Sequence, residues 1–240
     1  MGYNFVMIET YYLEHQAIVD IYYQKSKRDE LKYFKGFVQE YVKLIDFFNV
    51  SPPKITIRLL YSRPELDEKW GSKTETWVQA MVDNTDPHII YIFSPLVFEQ
   101  LTKHKKEEML PTIVHEAAHT FVSEINTRCF YWVNEGICQF VEGEHISDER
   151  IHKESWAWFK DNNALIDPQL AWDEQTDHQG YLISYAIVKY IIESYGKNAI
   201  ISLLKIKRVP DEELKNKMGM AVNNDFDELL EGFEKTLNLV

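Results

Sequence analysis

The chain has 240 residues, 45% of them hydrophobic, with a formal net charge of −12 and a pI near 5.2. That length and apolar content suit one large domain or two closely packed subdomains. The negative charge argues against a nucleic-acid or anionic-membrane surface, both of which need basic patches to displace counterions. Two cysteines, Cys129 and Cys138, are too few for a disulfide scaffold at this size and read as reduced, partly buried thiols. No segment has the makings of a signal peptide and no apolar run approaches the length of a membrane span, so the expected location is cytoplasmic.

In chain order, Asn4 to Glu9 alternates weakly as a short strand, and the pairs Tyr11-Tyr12 and Tyr22-Tyr23 flank an expected helix over 13–23. The apolar positions Leu31, Phe34, Val38, Tyr41, Val42, Ile45 and Phe48 predict one long amphipathic helix from Asp29 to Phe48. Asn49 and the Ser51-Pro52-Pro53 break end it. Three β-rich runs follow, Lys54 to Tyr61, Thr74 to Val82 and His88 to Phe93, each bounded by turn-forming residues. The last of these, placed at a sheet edge, would offer its backbone to an extended peptide; an ordinary core strand is the equal alternative. Ser94-Pro95 opens a short helix to about Lys103, and the charged run 103–108 reads as a solvated face.

Residues 112–121 contain the pattern His115-Glu116-x-x-His119. Leu110, Ile113, Val114, Ala117, Ala118, Phe121, Val122 and Ile125 recur at steps of three and four, so the pattern lies on a core-facing helix. Pro111 falls in its first turn or kinks a longer helix. Two histidines four residues apart project from one helix face and place their imidazoles on one metal ion. Glu116 sits about a third of a turn round, where it reaches a metal-bound water rather than the metal. A third ligand must come from a second helix. Val133, Ile137, Phe140 and Val141 define one, with Gly143 as its stop and Glu135 in its first turns.

Beyond 146 the pattern is almost wholly helical: Trp156, Trp158 and Phe159 in one segment, an irregular connection from Ala164 to Gln179, a strongly apolar helix from Gly180 to Gly196, and helices over 200–206 and 226–237. The change from mixed strand and helix to helix near Thr127 divides the catalytic unit of 1–240 into an α+β subdomain, 1–127, and a helical subdomain, 128–240.

With His115-Glu116-x-x-His119 followed by Trp132-x-Asn134-Glu135-Gly136, the chain resembles the gluzincin metallopeptidases, in particular the thermolysin-like peptidase MA family. The resemblance implies an α+β zincin with a small mixed sheet and active-site helix in its N-terminal part and a mainly helical C-terminal part. It implies Zn²⁺ held by His115, His119 and Glu135, and a peptide or protein substrate hydrolysed by a zinc-bound water that Glu116 activates. Two imidazoles and one carboxylate leave zinc a net positive charge and an open position, in keeping with that role. Related enzymes add a tyrosine or histidine donor for the oxyanion. Tyr181 is the first candidate and Tyr185, one turn later, the second; both read equally as core tyrosines, and His178 is a weaker donor candidate. The chain departs from the family where Gln139 stands in place of an aspartate one turn after the ligand glutamate, and it has no G-x-M-E-N segment for holding a substrate amino terminus. Trp156, Trp158 and Trp172 suit a substrate cleft less well than helix packing. The alternative function is a zinc-containing domain that binds a peptide or protein without cutting it, and the intact Glu116 disfavours it.

Overall fold

The computed structural model describes residues 6–143, 179–207 and 211–237. The chain divides into two compact units, 1–121 and 122–240. Their boundary falls inside a helix, ahead of the composition change near Thr127.

The first unit is built on one mixed five-stranded sheet in the order β1-β2-β3-β5-β4. Strand β1 (Val6–Leu13) and β2 (Gln16–Gln24) form an antiparallel hairpin. This replaces the helix expected over 13–23. The turn residues Glu14 (φ 46°) and His15 (φ 72°) both take the left-handed conformation that matches the twist of a two-residue hairpin. Neither is the glycine or asparagine that normally announces such a turn. Ile18, Val19, Ile21 and Tyr23 are buried, because β2 lies inside the sheet, and covering on both faces erases the alternation that marks a strand.

Strand β3 (Ile55–Leu60) runs parallel to β2, with Val19 opposite Ile55, and parallel to β5 (Ile89–Phe93), with Ile57 opposite Ile90. Strand β4 (Ala80–Val82) is antiparallel to β5 and closes the far edge. Strand β5 is an inner strand, the core-strand alternative of the two expected, so its backbone is paired on both sides. One expectation changes: only the last three residues of the run 74–82 are strand. The preceding carbonyls of Glu75 and Val78 are taken by the Arg63 guanidinium, at 3.1 and 2.8 Å, which also reaches the Leu101 carbonyl. A side chain 12 to 15 positions away thus satisfies groups that a longer strand would have paired.

The long helix expected over 29–48 is two pieces, a 3₁₀ segment over Lys25–Phe34 and helix α1 (Phe37–Phe48). They are separated at Gly36, where a Cβ would come within 2.9 Å of Leu110 Cδ2. Asn49, left-handed, caps α1 through its N–H to the Ile45 carbonyl. Helix α2 (Arg63–Trp70), with Pro64 in its first turn and Gly71 as its left-handed stop, had no apolar periodicity by which to be foreseen. Helix α3 is short, Phe98–Leu101. The core of this unit packs the fully buried Ile55, Ile57, Ile90 and Ile92 of the sheet with aromatic helix residues. Phe121 lies against Tyr41 at 5.3 Å between ring centroids and stacks on Phe48 at 5.3 Å.

The second unit is helical among its described residues: α5 (Tyr131–Glu142), α6 (Gln179–Tyr195), α7 (Lys197–Leu204), α8 (Asp211–Val222) and α9 (Phe226–Leu237). Helix α8 was not foreseen, its charged first half weakening the apolar stripe. Helices α5 and α6 meet at Gly136, where any Cβ would collide with the Ser184 carbonyl and the Val188 side chain. Asn126 closes the end of α7 by donating to the carbonyls of Leu204 (2.9 Å) and Ile206 (3.0 Å). Tyr190 packs on Phe233 at 5.5 Å, and its hydroxyl occupies the space that a Cβ on Gly232 would need.

Candidate metal centre

Helix α4 (Met109–Ile125) carries the two histidines. Pro111 is its third residue, in the first turn where its missing N–H costs nothing. Thr112 Oγ1 donates to the Glu108 carbonyl (2.8 Å), and Thr120 Oγ1 to the Pro87 carbonyl (2.7 Å), tying the helix to the chain just before β5. Ile113, Ala117, Ala118 and Phe121 are fully buried. That stripe fixes the rotation of the helix and leaves His115, Glu116 and His119 half-buried on its flank. The two imidazoles lie 4.9 Å apart between centroids, at 78° to one another.

Glu135 stands in the second turn of α5, 9% exposed. The helix is held by the burial of Trp132, Val133 and Ile137 and stopped by left-handed Gly143. Asn134 and Gly136, its neighbours in the motif, have structural work: Asn134 Oδ1 lies 3.7 Å from Cys138 Sγ, and Gly136 permits the close approach of α6. One ligand atom from each of His115, His119 and Glu135 lies within 4.8 Å of the others. A tetrahedral zinc with bonds of ~2.0–2.1 Å spaces its ligands roughly 3.4 Å apart. Side-chain rotation covers that difference, and two imidazoles with one carboxylate are a donor set suited to zinc. The residues present therefore fit the ion.

The surroundings of Glu135 are dry. Burial first, and the Glu135 carboxylate second, push the Cys129 thiol up to about 12, so it stays protonated and inert at neutral pH. Cys129 and Cys138 form no disulfide. Gln139, one turn after Glu135, is 6% exposed, and its Oε1 has no hydrogen-bond partner among the described residues. A buried amide oxygen in that state is an acceptor available to an imidazole N–H.

Tyr181 and Tyr185 lie on α6, the first half-buried and the second 8% exposed. Ser184 and Val188, which meet Gly136, lie three and seven positions from Tyr181, on one helix face with it, and Val188 lies three positions from Tyr185. Tyr181 therefore belongs to the side of α6 turned toward α5, the helix of Glu135, and Tyr185 to the flank of that side. His178, Trp156, Trp158 and Trp172 lie outside the described residues.

Two more features were not foreseen from sequence. One is β4 as the edge strand. Asp83 N–H donates to the Ile89 carbonyl (2.8 Å) and Phe93 N–H to the Gln79 carbonyl (3.4 Å), so residues 79, 81 and 83 face β5 and the backbone groups of Ala80 and Val82 point away from it. The other is His104, inside a run expected to be merely solvated. Its Nδ1 lies 2.7 Å from Glu108 Oε2 and its Nε2 3.1 Å from the Trp77 carbonyl.

No protein-family model matches the chain, and no curated protein matches it. Among the described residues no helix is long and apolar enough to cross a membrane.

Proposed function

We propose that the chain is a zinc-dependent peptidase of the gluzincin, thermolysin-like type. The observation that carries this reading is the approach of His115, His119 and Glu135 to within 4.8 Å, with Glu116 one residue after the first ligand. A zinc ion held by these three side chains would supply Lewis acidity toward water and a peptide carbonyl. The Glu116 carboxylate takes the proton from the attacking water and returns it to the leaving amine as the tetrahedral intermediate collapses. The Tyr181 hydroxyl, with Tyr185 as the alternative, donates to the developing oxyanion. Gln139 orients a ligand imidazole through its amide oxygen, more weakly than a carboxylate would.

A peptide substrate suits the edge of the sheet. The outward N–H and C=O groups of Ala80 and Val82 accept an extended chain as an added strand, the role that β5, paired on both sides, does not fill. The test is mass-spectrometric mapping of cuts in a diverse peptide library by the purified, zinc-loaded chain, with Glu116→Gln as control and metal content measured in parallel. Expected are metal-dependent cuts absent from the variant, about one zinc per chain in both, and loss of that zinc in Glu135→Ala. A folded, zinc-loaded wild type that cuts nothing in the library refutes the peptidase reading. A wild type without stoichiometric zinc refutes the metal site.

A further inference from the structure

The loop over 74–79 leads into edge strand β4, and two separate segments hold it. From α2, Arg63 donates to the Glu75 and Val78 carbonyls; from the chain after α3, the Lys103 N–H donates to the Thr76 carbonyl (3.2 Å); and His104 Nε2 meets the Trp77 carbonyl at 3.1 Å. The His104 ring is anchored at its other end by Glu108 Oε2 at 2.7 Å. A carboxylate and a backbone carbonyl are both acceptors, and a neutral imidazole has only one N–H to offer. Both contacts are made only when the ring carries two protons. We infer that His104 is a pH-responsive latch, whose imidazolium ties the loop feeding β4 to the start of the histidine-bearing helix and whose deprotonation releases one of the two ties.

Charged groups lie on both sides of the ring, with Glu75 on the facing loop and Lys103 and Glu107 on its own segment beside those in the contacts below. On its own segment, Glu108 Oε1 accepts the Lys105 N–H at 3.2 Å, which holds the carboxylate in place, and Lys105 is the nearby cation. Lys106 is paired with Glu99 of α3 at 3.5 Å. On the facing loop the contact is the Trp77 carbonyl itself, and the cation on that side, Arg63, is engaged with backbone carbonyls and stacked 4.6 Å over the Phe93 ring. When the ring is neutral, the short contact to a charged carboxylate keeps its proton on Nδ1, and the bare Nε2 then faces the Trp77 carbonyl, two acceptors in opposition. The loop tie is the one that breaks. His104 positions the loop and need touch no substrate. Trp77, 40% exposed, is part of this loop.

The latch stands apart from the peptidase reading, and its readouts are backbone groups rather than cleavage. The experiment is amide hydrogen exchange of the full ¹⁵N-labelled chain at Val78 and Lys103, corrected for intrinsic rates, with the His104 ring nitrogens followed by NMR from about pH 5 to about pH 8. Both amides donate within this clamp, Val78 to the Glu75 carbonyl and Lys103 to the Thr76 carbonyl. In wild type, protection at both is expected to fall roughly five- to tenfold as the ring loses its second proton, the size of one charge-assisted tie. In Glu108→Ala a neutral ring is free to place its single proton on Nε2, so protection becomes pH-independent. In His104→Gln it is also flat, which keeps the test decisive if the first variant does not fold. Wild-type protection that does not change while the ring titrates, or a ring with one bare nitrogen at about pH 5, overturns the latch.

Discussion

Replacing Gly136 by alanine isolates what the glycine of the Asn134-Glu135-Gly136 motif contributes. A Cβ at this position meets a backbone carbonyl, Ser184 O, and the Val188 side chain. Val188 can rotate; the Ser184 carbonyl lies inside α6 and cannot withdraw without the helix. Alanine is the better residue in a helix interior by roughly 0.5–1 kcal/mol, so intrinsic propensity favours the variant. Overpacking a well-filled contact costs about 1–3 kcal/mol, and separation of two backbones lies at the upper end. The net expectation is a loss of about 2 kcal/mol. With a urea m-value of about 1.5 kcal/mol/M, the midpoint of the second unit's unfolding falls by roughly 1.3 M. The assay is urea unfolding of the full chain by circular dichroism. A Gly136→Ala midpoint equal to or above wild type refutes the close-contact argument. In that event the glycine would have to be explained by the metal site instead.

Two further expectations concern other links. Glu30 is 1% exposed; it accepts from Tyr61 Oη at 3.3 Å and from the Ser94 hydroxyl, and burial outweighs these bonds to raise its carboxyl above the ordinary value. The native chain thus holds a proton that the unfolded chain releases, so stability declines as pH rises from the ordinary carboxyl range through the raised value. Glu30→Gln should remove that part of the slope, and chemical unfolding of both proteins at several pH values between about 4 and 8 checks it; parallel curves would refute it. Tyr181→Phe should lower peptide turnover about 10²–10³-fold with little change in zinc content. An unaffected rate, measured beside metal analysis, moves the donor role to Tyr185 or His178.

The candidate site was legible because the residues that compose it are set by local spacing. Helical spacing puts His115 and His119 on one face whatever surrounds them, and the stripe from Leu110 to Ile125 fixes which face that is. The helix of Glu135 was equally plain from Val133, Ile137 and the Gly143 stop. Hidden were the features decided by what lies opposite. Strand β2 looked helical because neighbours cover both of its faces, and the Glu14-His15 turn is stabilised by the pairing it permits rather than by turn-favouring residues.

Only the tertiary structure decided which strand is the sheet edge, since hydrogen-bond partners are chosen across the sheet and not along the chain. It likewise turned His104 from one member of a charged run into a doubly bonded tie, because one of its acceptors comes from 27 residues away. Sequence by itself determined the candidate ligands, their helices and the chemistry their types allow, because residue identity and a period of 3.6 are local properties. The close packing at Gly136, the clamp on the loop before β4 and the approach of three ligand atoms to within 4.8 Å are distances between segments remote in sequence, and only folding sets those.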